Sequence, residues 1–172
     1  MKKYFFLFVF AFSLLSSCST GEKTTYYLIR HAEKDRTDQT NRNPSLNFEG
    51  EKRAQNWAEY FKKIELDAVY STKYYRTIET ATPTAKTKKL GIQYYNPSKM
   101  YDSIFQKETK GKTVLVVGHS NTTPIFANKI LNENSELKRT DVYGNMDDND
   151  NASLYIVTVT ADKKTSTIEK VE

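Results

Sequence analysis

The chemistry open to this 172-residue chain turns on its two histidines. Imidazole titrates near neutral pH, and as the free base it is a competent nucleophile. His31 follows the apolar run Tyr26–Ile29 and Arg30, and His119 follows Thr113–Val117 and Gly118. A single histidine is more often a surface or core residue. Two that each close a strand-like run carry more weight, because ligands of parallel α/β sheets bind beyond the C-terminal ends of the strands. Each also has a cation within reach. Arg30 precedes His31 directly, and Arg76 comes a few residues after a third apolar segment, Ala68-Val69-Tyr70. Arginine suits phosphate because its planar fork donates two parallel, charge-assisted hydrogen bonds. Taken singly, such an arginine is usually a salt-bridge partner; two arginines and two histidines at one sheet edge point to an oxyanion site. The set is a poor zinc kit, since Cys18 is the only cysteine. No metal and no cofactor is therefore expected.

The elements that must position these groups alternate as β and α, which predicts an α/β fold: a three-layer α/β/α sandwich on a mostly parallel central sheet, with a C-terminal hairpin. Tyr26–Ile29, Ala68–Tyr70 and Thr113–Val117 read as strands, the last β-branched and uncharged, as a strand buried on both faces would be. Residues 48–63 read as a helix, with Ala54, Trp57, Ala58 and Phe61 on one face, Asn47 as its cap, acids early and Lys62 and Lys63 late. Arg76 to about Lys88 is a second helix in which Pro83 predicts a kink or a shortened helix. Gly91–Tyr95 suits an edge strand and Pro97–Lys110 a further helix. Thr123-Pro124 reads as a cap and a first helical position, opening a helix to about Leu131. Leu154–Val159 and Thr165–Val171 pair as the closing hairpin. The acidic run Asp147-Asp148-Asn149-Asp150 lacks EF-hand spacing and reads as a solvated loop.

The start of the chain differs from the rest. Met1-Lys2-Lys3 is a basic n-region and Tyr4–Leu15 an apolar stretch too short to span a bilayer, so residues 1–17 read as a signal peptide. Leu15-Ser16-Ser17-Cys18 resembles the lipobox of bacterial lipoproteins, which predicts lipidation of Cys18, residues 18–24 as a tether and 25–172 as the domain. The chain is then exported and held on a bacterial membrane, facing periplasm or exterior, by several acyl chains. Removing Lys2 and Lys3 lowers the formal net charge from +5 to +3. That suits an anionic substrate and is too weak for nucleic acid.

Three segments carry a resemblance. Thr25–Ile29 with Arg30-His31-Ala32-Glu33 resembles the signature strand and loop of the histidine phosphatase superfamily, the phosphoglycerate-mutase-like fold. Leu46–Gly50 is similar to its helix-opening segment, Tyr70–Ala81 to its second motif and Val116–Ser120 to its third, in family order. The family's usual third residue in the first motif is Gly, so Ala32 requires a turn that accepts a Cβ. The resemblance implies that neutral His31 attacks phosphorus to form a phosphohistidine. Arg30, Arg76 and His119 would hold the phosphoryl oxygens, and water would release phosphate. A carboxylic acid tends to lie some tens of residues after the second-motif arginine in the mutase-like branch, and Asp102 fits; Glu33, beside the nucleophile, and Glu108 come after it. Ser120 in place of the Asp of the acid phosphatase branch disfavours that branch. Ser120 and Asn121 can either donate to phosphate or cap the next helix. Tyr74, Tyr75, Tyr94, Tyr95 and Tyr101 can line the pocket rim or pack.

The implied activity is hydrolysis of phosphomonoesters, or of phosphohistidine, as in the short bacterial members. Its partner is a phosphorylated small molecule or phosphoprotein. Two other readings fit the same residues: a phosphoglycerate-mutase-type phosphotransferase, which usually has more chain around its substrate, and a non-catalytic phosphate- or phosphoprotein-binding lipoprotein.

Overall fold

A computed structural model describes residues 22–133 and 142–171. The expected signal peptide and Cys18 lie outside these residues. Strand β1 (Thr24–Arg30) leads through α1 (Phe48–Phe61) to β2 (Ala68–Ser71), then α2 (Tyr75–Lys88) and β3 (Ile92–Tyr94). After a short 3-10 turn at Pro97–Lys99 come α3 (Ser103–Thr109), β4 (Thr113–Gly118), α4 (Thr123–Asn132) and the hairpin β5 (Ser153–Val159) and β6 (Lys164–Lys170). The six strands form one sheet in the order β3-β2-β4-β1-β5-β6. The first four are parallel and the hairpin adds antiparallel. This is the α/β sandwich expected, with β3 on the edge and the hairpin closing the other side.

The sheet faces follow from side-chain alternation. On β4, Val114 and Val116 point into one layer and Leu115 and Val117 into the other. The first layer is filled by Phe105 of α3 and by Phe126 and Ile130 of α4; the second by Trp57 and Phe61 of α1 and by Ala81 and Ala85 of α2. Trp57, Phe61, Leu115 and Ile130 are fully buried, each large apolar side chain stabilising the fold by about 1.5–3 kcal/mol. The small faces of α2 let it lie close against α1 and the sheet.

Several local expectations shift. Helix α1 ends at Phe61, so Lys62 is its C-cap rather than part of its last turn. Helix α2 runs unbroken through Pro83. The proline is only partly buried, so the carbonyl it leaves unpartnered is not sealed in the core. The helix expected over Pro97–Lys110 is two pieces, because Tyr101 takes a left-handed conformation (φ 58°) and Asp102 then caps α3 by accepting the Phe105 N–H at 2.9 Å. Thr122, not Thr123, is the N-cap of α4, with Pro124 in its first turn.

The loop after β1 is fixed by α1. Asn47 caps α1 by accepting the Gly50 N–H at 2.9 Å, and its own N–H donates to the Glu33 carbonyl at 3.0 Å. A Cβ on Gly50 would lie 2.0 Å from that carbonyl oxygen. Gly50→Ala is therefore expected to lower stability by about 1–3 kcal/mol, read as a shift in the urea midpoint at unchanged slope; a variant as stable as the parent chain would show that the loop moves freely.

Candidate active site

The parallel pairing of β1 with β4 sets Arg30 opposite Gly118. The next residue on each strand is a histidine. The His31 N–H donates to the Gly118 carbonyl at 2.9 Å, and the two rings come to rest with centroids 5.5 Å apart at 68°. The rings that the sequence places at two strand ends thus share one rim.

His31 is buried, and its Nδ1 lies 2.7 Å from the Ala32 carbonyl oxygen. A carbonyl can only accept, so Nδ1 carries the proton and Nε2 holds the lone pair. Burial is the main force lowering the His31 pKa to about 3; Arg30, His119 and Arg76 add to it, and the Ala32 carbonyl opposes it. The ring is neutral at neutral pH. His119 is pushed down to about 4, by burial first and then by Arg76, Arg30 and Lys34. Its Nε2 lies 3.0 Å from the Thr72 hydroxyl, which lies 2.9 Å from the Thr77 hydroxyl at the start of α2. The Tyr74 ring meets His119 edge-on at 5.1 Å and stacks beneath the Arg76 guanidinium at 4.5 Å.

The two arginines differ in how they are held. Arg30 Nη1 donates to the Asp147 carbonyl at 3.0 Å and its Nη2 lies 3.8 Å from the Asp148 carboxylate, while its Nε has no partner. Arg76 has both Nε and Nη1 buried without a partner. Its position is set by its own backbone: Thr80 donates to the Arg76 carbonyl at 2.6 Å and accepts the Ala32 N–H at 2.9 Å. That chain ties α2 to the loop after β1 that carries His31. Unpaired buried donors are costly, and these lie where an anion would satisfy them.

Arg30, His31, Arg76, His119, Ser120 and Asp148 are among the groups lining a cavity of about 340 Å³. A neighbouring cavity of about 560 Å³ is lined by Glu33 and Asn149 among others, and Arg30, His31, Lys34 and Arg36 line both. Seven of the residues singled out in the sequence therefore meet: Arg30, His31, Tyr74, Arg76, His119, Ser120 and Asn121. Ser120 donates to the Asp148 carboxylate at 3.1 Å and does not cap α4. Glu33 stands on the wall of the larger cavity, its carboxylate held by Arg53 Nε at 2.7 Å. Asp102 lines neither cavity, and its carboxylate accepts the Phe105 N–H as the α3 cap. Glu108 lies with Lys112 in a separate hollow, toward the end of β4 opposite Gly118. Ala32 is fully buried against Leu46 and Ala54, and its φ is not positive, so the Cβ fits without strain.

Sequence reasoning missed the loop that leads into β5. Asp147–Asp150 is not simply solvated: it supplies carbonyls and a carboxylate to Arg30, and Asn151 Nδ2 donates to the His31 carbonyl at 2.7 Å. Lys34 and Arg36 were also missed, although both follow His31 within a few residues. Among the described residues no cluster of His, Cys, Asp and Glu could hold a metal ion, and no helix is long and apolar enough to cross a membrane.

Residues 26–96 match the histidine phosphatase superfamily (branch 1), a span that includes Arg30, His31 and Arg76. Solved structures extend the likeness over the rest of the fold. A mycobacterial glucosyl-3-phosphoglycerate phosphatase complexed with VO3 superposes with a TM-score of 0.64 at 12% identity, covering 87% of this chain and 100% of that one. A phosphoglycerate mutase from Bacillus anthracis gives 0.60 at 16%, covering 88% and 93%. A protein of Agrobacterium tumefaciens provisionally assigned as the phosphohistidine phosphatase SixA gives 0.56 at 18%, covering 85% and 97%. At these identities the likeness establishes the fold. No curated protein matches the chain by sequence.

The buried neutral histidines of this domain give it a defined acid response. Both folded pKa values lie below the ordinary 6.5. The unfolded chain therefore binds protons first as pH falls, and stability is lost below about pH 6.5 until the folded rings titrate near 4 and 3. The limiting slope is about 1.4 kcal/mol per pH unit for each ring. Urea unfolding between pH 7 and 4 is expected to be flatter for His31→Asn and His119→Asn than for the parent; parallel curves would contradict the burial argument.

Proposed function

We propose that the chain is a phosphatase that hydrolyses phosphomonoesters, or phosphohistidine, through a phosphohistidine formed on His31. The observation that carries this reading is one cavity holding a histidine with a free Nε2 lone pair beside an arginine with two buried, unpartnered donors. Arg30 and Arg76 would bind the phosphoryl oxygens, and His119 would contribute from the other side. Nε2 of His31 attacks phosphorus in line with the ester oxygen. The N–P bond forms as the P–O bond breaks, and the leaving oxygen takes a proton. Water then attacks the phosphohistidine, releases inorganic phosphate and restores the free imidazole. Positioning and charge stabilisation carry such transfers, and the Nδ1–H bond to Ala32 keeps the attacking nitrogen in the right tautomer.

For the leaving-group proton we place Asp148 ahead of Asp102. Asp148 lines the cavity and is largely exposed at its rim, whereas Asp102 would have to abandon the α3 cap. A non-catalytic phosphate-binding role gains nothing from Ala32, whose Cβ is accommodated. Neither cavity gives a specific reason to prefer a mutase.

Residues 19–172 are expected to hydrolyse p-nitrophenyl phosphate in EDTA, with vanadate as an inhibitor and an acid-labile phosphoryl group trapped on rapid quenching. His31→Ala should lower kcat/KM by about a thousandfold or more. Turnover that survives this substitution would remove His31 as nucleophile. Phosphate binding without turnover in the parent protein would favour the non-catalytic reading.

The acid is tested separately, with an alkyl phosphate whose leaving group needs the proton. Asp148→Asn should slow its hydrolysis by about a hundredfold and p-nitrophenyl phosphate far less. Asp102→Ala should instead lower stability by about 1 kcal/mol and leave both rates intact. The reverse pattern would return the role to Asp102.

A further inference from the structure

The two histidines follow the C-terminal ends of β1 and β4, and the chain enters the domain at the other end of the same strands. The seven residues of β1 separate the two ends by about 20 Å. Because β1 to β4 are parallel, the connections that lead into β2, β3 and β4 gather at the entry end, and the turn between β5 and β6 joins them there. These segments are basic. Residues 22–23, 62–67, 88–91, 110–112 and 160–163 together hold eight lysines and four acids. Lys62 pairs with Glu59 and Lys110 with Glu22, and Lys88 donates to the Lys62 carbonyl. Asp67 is engaged as well, accepting the Thr113 N–H at 2.7 Å. Lys23, Lys63, Lys89, Lys112 and Lys163 are exposed and form no ion pair with a carboxylate within 4.0 Å among the described residues.

A single lysine in solvent is ordinary; these surround the point at which the apolar start of the chain is attached. That point is fixed. The Gly111 N–H donates to the Thr24 hydroxyl at 2.8 Å, the Thr25 N–H to the Lys112 carbonyl at 2.9 Å, and Glu22 pairs with Lys110 at 2.8 Å. Upstream come Cys18 and the apolar stretch Tyr4–Leu15. Whether a bilayer is met by acyl chains on Cys18 or by that stretch itself, the attachment leaves the domain at this end. From Cys18 to Thr24 the chain reaches at most about 20 Å. That lets the lysine-bearing end touch the bilayer and leaves no slack for the histidine end, a strand's length further out, to turn toward it. Anchoring also raises the effective concentration of the surface, so a few lysines suffice to orient the domain on anionic lipid. We propose that the loops at the entry end form a membrane-facing base that binds anionic lipid headgroups and holds the cleft pointed away from the bilayer. The substrate then arrives from the aqueous side, and the headgroups under the base lie out of reach of His31.

Amide hydrogen exchange of the full chain, expressed in bacteria and reconstituted on vesicles, tests this without requiring turnover. One set of vesicles is phosphatidylcholine alone, and the other carries about 30 mol% phosphatidylglycerol to supply a negative surface. Exchange in residues 62–67, 88–91 and 110–112 should be about tenfold slower on the anionic vesicles than on the neutral ones, the effect of a few surface lysines meeting anionic lipid. Exchange in residues 32–45, at the histidine end, should be the same on both. Salt at about 0.5 M should erase the difference by screening. Lys63→Gln, Lys89→Gln and Lys112→Gln combined should erase it at low salt, with the melting temperature in detergent unchanged. Equal exchange on the two vesicles overturns the proposal. So does slowing at residues 32–45 in place of the base, an anionic preference that survives the triple substitution, or failure to associate with either vesicle. Hydrolysis of p-nitrophenyl phosphate in detergent reports separately on the phosphatase reading.

Discussion

The register of β1 against β4 is the constraint from which the site follows. Arg30 pairs with Gly118, so one additional residue on each strand brings two imidazoles to the same rim. A slip by one residue would invert every side chain of β1, moving Tyr26 and Leu28 out of one layer and Ile29 out of the other. The core therefore polices the chemistry. The same pairing is protected at its end by Gly118, where a Cβ would lie 3.0 Å from the Tyr95 hydroxyl and 3.1 Å from those of Thr122 and Thr123. Those hydroxyls also serve the site, since Thr122 Oγ1 accepts the His119 N–H at 3.1 Å.

Holding four cationic or protonatable groups together opposes folding, and two features moderate that cost. The histidines are kept neutral by burial, which removes two charges from the cluster at neutral pH. The arginines are supported through backbone oxygens or an aromatic face more than through carboxylates: Arg30 by the Asp147 carbonyl, Arg76 by the Tyr74 ring. A buried carboxylate partner would neutralise the site that must accept an anion. Leaving Arg76 Nε and Nη1 unpaired is destabilising for the empty protein and favourable once an oxyanion arrives.

The strands, both histidines, Arg30 and Arg76 were legible because they lie on or next to periodic segments, where local pattern determines position. The hairpin and the α1 face were legible for the same reason. What escaped depends on contacts between distant segments. Asp102 is close in sequence to where an acid is sought, yet a left-handed Tyr101 turns it into a helix cap. Ala32 departs from the usual glycine, and its acceptability depends on Leu46 and Ala54, which no local pattern links to it. The acidic run Asp147–Asp150 has the composition of a solvated loop. Only the fold shows that its carbonyls, rather than its carboxylates alone, meet an arginine more than a hundred residues earlier in the chain.

That loop also explains why the hairpin belongs to the functional unit and is not just an edge cover. Asp150 accepts from the Ser153 hydroxyl at 2.7 Å and pairs with Lys170 at 2.8 Å, so the end of the loop is fastened to both strands of the hairpin. From the fastened end, Asn151 holds the His31 carbonyl and Asp147 holds Arg30. On the far side, Asn128 of α4 brackets Tyr143, donating to its carbonyl at 2.8 Å and accepting its N–H at 3.0 Å. The backbone on either side of the catalytic rim is thus anchored to the core by α4 and by β5 and β6. Between these anchors the side chain of Asp148 is largely exposed against the smaller cavity, and Asn149 against the larger. The loop thus sets an exposed carboxylate at the mouth of the cavity while its backbone holds Arg30 in place, and both follow from the same fastening to the hairpin.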